Sequence, residues 1–384
     1  MEKPLRIAVV IPKYGLSGGA EHYVAELTKR LAQRSNFEIH VLANRWKTEQ
    51  GNIKFHKIPI ISFPKVFTTI SFAHFAGREI SKMDFDLIHT HDRIFDADIY
   101  TMHGIPHRTW IHEVRRKKRL SLFDWGTVWV EKKLVANKRC RKFLAVSKLA
   151  RDKFLQTYGT THPKQVEILH PGVDVARIQQ HDRQNCRMEI RNRFGIGQDE
   201  ILLLFASMNF DIRGLDLLIS GMACLKQKSP TLQIKLLAVG KGDEKKYRVF
   251  ARNLGIEESI VFTGIVDTDT LEKIYLACDL FSILSQFDTF SITTLEAMAA
   301  SLPVIISDNV GAKDLIRQGI NGFVIEDTSN SKNIADKIER LLDGSVRQKM
   351  AAEAFQTASL QSWSAVAKKT EEIYTEIFKN KNCI

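Results

Sequence analysis

Residues 279–304 read Asp279-LFSILSQF-Asp288-TFSITTL-Glu296-AMAASL-Pro303-Val304. An apolar run of strand length, Leu280–Leu284, stops at a polar turn that carries Asp288. The pattern then predicts a helix from near Ser291, with Glu296 about one turn in. A second apolar run, Val304–Ser307, follows Pro303. Strand, turn, helix and strand in this order build a parallel sheet with helices on its faces. Such sheets bind ligands outside the carboxyl ends of their strands, so the turn is where chemistry is expected. The first amides of a helix lack intrahelical partners and can receive a diphosphate. Here two carboxylates frame that start, Glu296 in reach of ribose hydroxyls and Asp288 in reach of sugar hydroxyls. Taken alone, an Asp and a Glu eight residues apart fit better a helix with an incidental N-terminal acid and a surface Glu.

The same alternation extends outward over the whole chain. Leu5–Ile11, Ile39–Ala43, Leu87–His91 and Phe143–Ser147 read as buried strands in the first half, and Asp98–Met102 as another. Ile201–Ser207, Ile234–Val239 and Ile260–Thr263 read the same way in the second. Helical periodicity marks Ala20–Ala32, Leu215–Lys226, Leu271–Ala277 and Gly311–Gln318. Two such series in 384 residues predict two Rossmann-like, doubly wound α/β domains. The polar stretch Ala176–Asn192 is read as the boundary region. The expected division is 1–178, 179–361 and a last segment, 362–384, whose helix over about Ser362–Phe378 has room to cross back to the first domain. Five cysteines, Cys140, Cys186, Cys224, Cys278 and Cys383, show no C-x-x-C pattern. The odd number and the spacing argue against a disulfide framework or a structural zinc and fit a reducing cytoplasm. The apolar run at the N-terminus ends at Pro12 without a cleavage-site pattern and is read as a strand. No apolar stretch is long enough to span a bilayer.

Charge is unevenly placed. The net charge is +12, but residues 1–180 hold 31 Lys and Arg against 17 Asp and Glu, a surplus of 14. The remainder is slightly acidic. A basic half implies an anionic partner such as a membrane surface, a phosphorylated lipid or nucleic acid, or else a solubilising surface. Five consecutive cations, Arg115, Arg116, Lys117, Lys118 and Arg119, adjoin Trp110, Trp125 and Trp129. Tryptophans beside cations are the composition of an interfacial membrane segment. The alternative is a buried aromatic helix after an exposed basic turn.

Near the N-terminus, Gly18-Gly19-Ala20-Glu21 opens a helix after the first strand. Paired glycines allow a phosphate close to the backbone, or simply connect strand to helix. This is not G-x-G-x-x-G, and a nicotinamide cofactor is not expected. Through these residues and others along the chain, it resembles the retaining GT-B glycosyltransferases of the E-x7-E, group 1 family, lipopolysaccharide-core enzymes among them. Residues 279–304 resemble the family signature, with Asp288 as its first acid and Ser291 where Gly is usual. Gly18-Gly19-Ala20-Glu21 resembles G-G-A-E, and Met102-His103-Gly104 the first-domain histidine motif. Ala145-Val146-Ser147 and His170-Pro171-Gly172-Val173-Asp174 resemble the approach between domains. Arg213-Gly214-Leu215-Asp216 resembles R-K-G-x-D without one cation, and Val239-Gly240-Lys241-Gly242 the V-G-x-G turn. Phe262-Thr263-Gly264, Gly311-Ala312-Lys313-Asp314 and Asn321-Gly322 follow in family order.

The resemblance implies two domains facing a cleft and transfer from a nucleotide-diphosphate sugar with retention of configuration. It implies catalytic roles for His103, Arg213 and Asp288, and donor binding by Gly18, Gly19, Lys241, Gly264, Ser291, Ile292 and Glu296. It implies no metal and no cofactor beyond the co-substrate. The expected acceptor is a glycolipid or oligosaccharide at an anionic membrane surface, met by Trp110, Arg115–Arg119, Trp125 and Trp129 from the cytoplasmic side. Nucleic acid is not expected, since no RNP, KH or helix-turn-helix pattern is present. The rival readings are an epimerase or phosphorylase on the same fold, or a basic nucleic-acid-binding protein with a degenerate cleft.

Overall fold

The computed structural model describes residues 3–16, 18–47, 51–159 and 165–382. The chain divides into two compact units: Met1–Gly172 with Trp363–Ile384, and Val173–Ser362.

Unit 1 runs through β1 (Leu5–Val10), β2 (Lys13–Tyr14), α1 (Gly19–Leu31), β3 (Phe37–Ala43), β4 (Arg45–Trp46), β5 (Lys54–Lys57) and α2 (Phe67–Ile80). It continues with β6 (Leu87–Thr90), β7 (Ile99–Met102), the single turn α3 (His107–Thr109), a wide turn over Trp110–Val114, α4 (Leu122–Ala136), β8 (Lys142–Ala145), α5 (Lys148–Thr157) and β9 (Val166–Ile168). Seven strands form one sheet in the order β5-β3-β1-β6-β7-β8-β9. All its pairings are parallel. Both faces of β1 are covered, so Ile7–Val10 are all buried. That is why its sequence is an unbroken apolar run rather than an alternation.

Unit 2 runs through α6 (Val175–Gln179), α7 (Arg183–Phe194), β10 (Ile201–Ser207), α8 (Leu215–Lys228), β11 (Ile234–Gly240), α9 (Glu244–Asn253), β12 (Ile260–Gly264) and α10 (Thr268–Ala277). Then come β13 (Leu280–Ile283), α11 (Ile292–Ala299), β14 (Val304–Ser307), β15 (Gly322–Ile325), α12 (Ser331–Arg340) and α13 (Gly344–Leu360). Its six strands lie in the order β12-β11-β10-β13-β14-β15, again parallel throughout. This is the expected α/β architecture, two parallel-sheet domains. The last helix, α14 (Trp363–Asn382), belongs to unit 1. Trp363, Val366, Ala367, Thr370, Ile373, Tyr374 and Ile377 are buried along one face of it. Their three-and-four spacing is the signature of a helix laid on a core, and its apolar members share that core with Tyr23, Val24, Leu27 and Leu31 of α1.

Three details differ from the sequence reading. The units part at Gly172/Val173 and Ser362/Trp363, a few residues from the expected boundaries. The Val173 amide donates to the Gln361 carbonyl (2.8 Å), Arg177 pairs with Glu272 (2.6 Å) and the Gln179 amide donates to the Ala299 carbonyl (2.9 Å). These contacts tie 173–179 to unit 2. The stretch 176–192, read as a boundary region, is mostly the helices α6 and α7. Its few apolar residues misled because guanidinium forks do the anchoring. Arg187 and Arg191 both reach Asp279 (3.0 and 2.8 Å), and fully buried Arg191 also donates to the Glu200 carbonyl (2.9 Å). Finally, Gly311–Gln318 is not an α-helix but a 3-10 turn over Gly311–Leu315.

Each sheet has one place where its winding reverses. In unit 1 the chain moves from β1 to β3 and β5, then returns to the other side of β1 as β6. In unit 2 it moves from β10 to β11 and β12, then returns as β13. The loops leaving the two adjacent strands diverge there and open a crevice at their carboxyl ends.

Candidate functional site

At the β10/β13 switch point of unit 2, the loop 208–214 is folded back against the end of β13. The Leu284 amide donates to the Arg213 carbonyl (3.2 Å) and the Gln286 amide to the Ile212 carbonyl (2.9 Å). Asn209 holds the bend by accepting the Ile212 amide on its side chain (3.1 Å). Gly214 has φ +73°, and a Cβ there would collide with the Leu284 carbonyl. Only glycine gives both the left-handed turn and the close approach. Arg213 is thereby aimed at the loop after β13. Its guanidinium pairs with the Asp288 carboxylate and lies 3.4 Å from the Ser285 hydroxyl. Burial lowers its pKa to about 10, which leaves it cationic at neutral pH.

Asp288 is fixed from two sides. Its amide donates to Asn309 (2.9 Å) and its carbonyl accepts from Gly311 (2.9 Å). Its side chain accepts the Phe290 amide (3.2 Å). Arg213 and Asp288 were expected to meet different parts of a ligand, yet here they meet each other. The helix α11 then starts at Ser291, which takes φ +74°. For a residue with a Cβ this conformation costs about 1–2 kcal/mol, which accounts for glycine being usual at the position. The Ser291 hydroxyl bonds the Thr294 and Thr293 hydroxyls (2.8 and 3.1 Å) and caps no amide. The positive end of α11 is thus left without a side-chain cap. Glu296, one turn on, accepts a hydrogen bond from Tyr275 (3.0 Å). Burial raises its carboxyl to about 6, while the Tyr275 hydroxyl pulls it the other way.

Two more expected residues stand on neighbouring loops of the same edge. Lys241 follows β11, exposed, with its amide on the Ser207 carbonyl (3.0 Å). Gly264 ends β12 with φ +70°. Gly18 and Gly19 belong instead to unit 1, at the start of α1. The Glu21 carboxylate lies over Gly18, so the acid of the motif itself sits where an anion was expected.

In unit 1, His91 leaves β6 and His103 leaves β7. Nδ1 of His91 and Nε2 of His103 are 2.9 Å apart. His89 lies beneath, bonded to Tyr374 and Thr101 (2.7 Å each). Burial pushes all three imidazoles toward the neutral form, His89 and His103 to about 3. Among the described residues no group of His, Cys, Asp and Glu is arranged to hold a metal ion.

The basic segment of unit 1 lies on the surface. Arg115–Arg119 are exposed in the loop before α4. Trp125 and Trp129 are 57% and 46% exposed on α4, beside Leu122 at 76%. The reading of a buried aromatic helix therefore does not hold for these two, whereas Trp110 is half-buried. The sequence reading missed a second element of this face. Ile61, Phe63 and Phe67 are also exposed, and the start of α2 lies against α4 where Gly126 meets the Val66 carbonyl. Tyr275 and Ser285 were missed as well. No helix among the described residues is long and apolar enough to cross a membrane.

Known proteins align with both units. Residues 187–357 match the family described as glycosyl transferases group 1, and residues 17–177 match glycosyltransferase family 4. An uncharacterized glycosyltransferase of Methanocaldococcus jannaschii is 26% identical, covering 96% of this chain and 98% of its own. A D-inositol 3-phosphate glycosyltransferase of Nocardioides is 24% identical over 94% of this chain and 86% of its own. Among solved structures, WaaG, a glycosyltransferase involved in lipopolysaccharide biosynthesis, superimposes with a TM-score of 0.80 at 20% identity, over 96% of this chain and 99% of its own. The order of strands, the loops that gather at the β10/β13 switch point and the two matches lying end to end all lead to one assignment: the chain belongs to the group 1 glycosyltransferases of the GT-B fold.

Proposed function

We propose that the protein is a retaining glycosyltransferase that moves a hexose or heptose from a nucleotide-diphosphate sugar to a membrane-associated glycolipid, in lipopolysaccharide-core or related surface-glycan synthesis. The observation that carries the donor reading is the gathering of Arg213, Asp288, the uncapped start of α11 and Glu296 on the carboxyl edge of one sheet. Glu296 accepts ribose hydroxyls. Arg213 and the first amides of α11 take the diphosphate, whose charge grows as the glycosidic bond breaks, so they stabilise the departing group more than the bound donor. Asp288 holds Arg213 in place and meets hydroxyls of the sugar. His103 is the unit 1 group that meets the transferred sugar. Lys241 and Gly264, on their loops, complete donor binding, whereas the Glu21 carboxylate over Gly18 leaves the backbone at Gly18 and Gly19 no part in holding the diphosphate. Cations and helix amides neutralise the diphosphate, so the reading includes no metal and no cofactor.

The acceptor reading rests on the exposed face of unit 1. Arg115–Arg119 supply attraction to an anionic surface, about 1 kcal/mol per cation close to it. Trp125, Trp129 and the exposed apolar residues around them supply interfacial contact, with Trp110 at the margin. Attachment is then peripheral, at the inner face of the cell membrane. The test is co-sedimentation with liposomes with and without anionic lipid, paired with proton NMR of the product's anomeric centre in the presence of EDTA. Binding that needs anionic lipid, with a product of retained configuration formed in EDTA, is expected. Inverted product, loss of activity in EDTA, or equal binding to neutral lipid would each remove the corresponding part of the reading.

A further inference from the structure

We propose that His91 is a positioning residue for His103, fixing the tautomer and the aim of the imidazole with which unit 1 meets the transferred sugar. The inference rests on the role given to His103 above. The parallel pairing of β6 with β7, His89 opposite Ile99 and Thr90 opposite Tyr100, sets the two exits side by side. The His91 amide is tied to the Val10 carbonyl (2.9 Å), so the ring has a fixed root. Its Nδ1 is 2.9 Å from Nε2 of His103, and the two rings are near-parallel at 22°.

A bond between two imidazole nitrogens needs one N–H and one bare nitrogen. Which ring donates is decided by the other nitrogen of His91. His91 is 4% exposed, and its Nε2 is buried without a hydrogen-bond partner. A proton there would be a stranded donor, and orphaned buried N–H groups are rarer than under-satisfied acceptors. The proton of His91 therefore sits on Nδ1 and is donated to Nε2 of His103. His103 then carries its own proton on Nδ1. His89 does not compete, since both of its nitrogens are engaged by Tyr374 and Thr101. Tyr23 of α1 packs on both rings, 4.8 Å from His103 and 5.8 Å from His91 between centroids. Tyr374 of α14 stands behind His89. Among the described residues, the titratable groups packed on the pair include Tyr23, His89 and, behind it, Tyr374, all held neutral by burial.

The arrangement has a consequence for pH. A donor pointed at Nε2 of His103 stabilises the neutral ring and opposes its protonation. Without it, the ring takes a proton at higher pH. The test uses the full chain and four forms: wild type, His91→Phe, His91→Asn and His103→Ala. The Asn amide N–H stands close to where Nδ1–H stands, so it keeps the donor. Expected for His91→Phe are a kcat lower by roughly tenfold or more, the scale of a misplaced group, an unchanged calorimetric affinity for UDP, GDP or ADP, whichever nucleotide binds, and an acid limb of kcat moved to higher pH. His91→Asn returns kcat and the limb toward wild type. Full activity of His91→Phe while His103→Ala is inactive would overturn the inference. So would His91→Asn, folded, as impaired as His91→Phe. If His103→Ala is itself as active as wild type, the role of His103 fails instead, and the two failures are told apart.

Discussion

The two switch points have the same topology and opposite chemistry. At β10/β13 the loops bring together a cation, a partly neutralised carboxyl and uncapped helix amides, a charged edge suited to a diphosphate. At β1/β6 the loops and their neighbour after β7 bring together imidazoles that burial keeps neutral. A parallel sheet with reversed winding supplies only a crevice. What lies in it is set by a few residues after each strand, and here one gathers charged groups while the other gathers neutral hydrogen-bonding groups. The contrast extends to protonation: burial raises the acid of unit 2 to about 6 and holds the histidines of unit 1 in the neutral form.

Removing charge should hurt unit 2 most. Arg213→Ala is expected to lower kcat by about 10²–10³, the scale of a lost group aimed at developing negative charge, with a smaller loss of donor affinity. Steady-state kinetics checks this, and an effect confined to KM would give Arg213 a ground-state role only. Replacing Arg115, Arg116, Lys117, Lys118 and Arg119 by Ser comes next. About 1 kcal/mol per cation near the surface implies loss of most binding to anionic liposomes, while turnover of a short water-soluble acceptor is kept. Equal loss of both would assign the run to folding or to acceptor contact.

The acid of unit 2 gives a finer test. Glu296 titrates at about 6, so its charged form, which strengthens ribose hydrogen bonds, is present above that pH and lost below. Donor affinity should fall as pH drops through about 6. The Tyr275 hydroxyl stabilises the carboxylate, so Tyr275→Phe should move that fall to higher pH and weaken binding at pH 7 by about 1 kcal/mol. Calorimetry at several pH values reads both effects. The smallest effect belongs to Ser291→Gly. Relief of the left-handed strain is offset by added freedom in the unfolded chain, so Tm and kcat are expected to change little, because the hydroxyl is turned to Thr293 and Thr294 and caps no amide. A large drop in kcat would give the hydroxyl a role of its own.

How much of this was legible in the sequence depended on what holds each element. Strands covered on both faces, such as Ile7–Val10 and Leu202–Ala206, are apolar throughout and read plainly. The three-and-four rhythm of Trp363 to Ile377 forecasts a helix laid on a core. Helix α7 was hidden because it is anchored by Arg187 and Arg191 on Asp279, and such contacts leave no apolar stripe. The short edge strand β5, Lys54–Lys57, exposes its two lysines and only half-buries Phe55 and His56 between them, so it lacks the strand pattern. Asp288, Glu296 and Arg213 in unit 2, and His103 in unit 1, were visible as motif residues. Tyr275 was not, since a Tyr on an amphipathic helix looks like any core residue until its hydroxyl is seen against Glu296. Ile61, Phe63 and Phe67 have no periodicity, and only the packing of α2 on α4 shows that they extend the exposed face. The pairing of Arg213 with Asp288 depends on the Gly214 turn and could not be read from spacing.

The central claim is that a nucleotide sugar binds at the β10/β13 switch point with its ribose on Glu296. The most direct measurement is calorimetric titration of UDP-, GDP- and ADP-sugars into wild type and Glu296→Ala at pH 7.5. One nucleotide series should bind the wild type, and the substitution should weaken it by about 1–3 kcal/mol, the scale of lost charge-assisted hydrogen bonds. Unchanged affinity in a variant that keeps the wild-type circular dichroism and Tm would contradict the account.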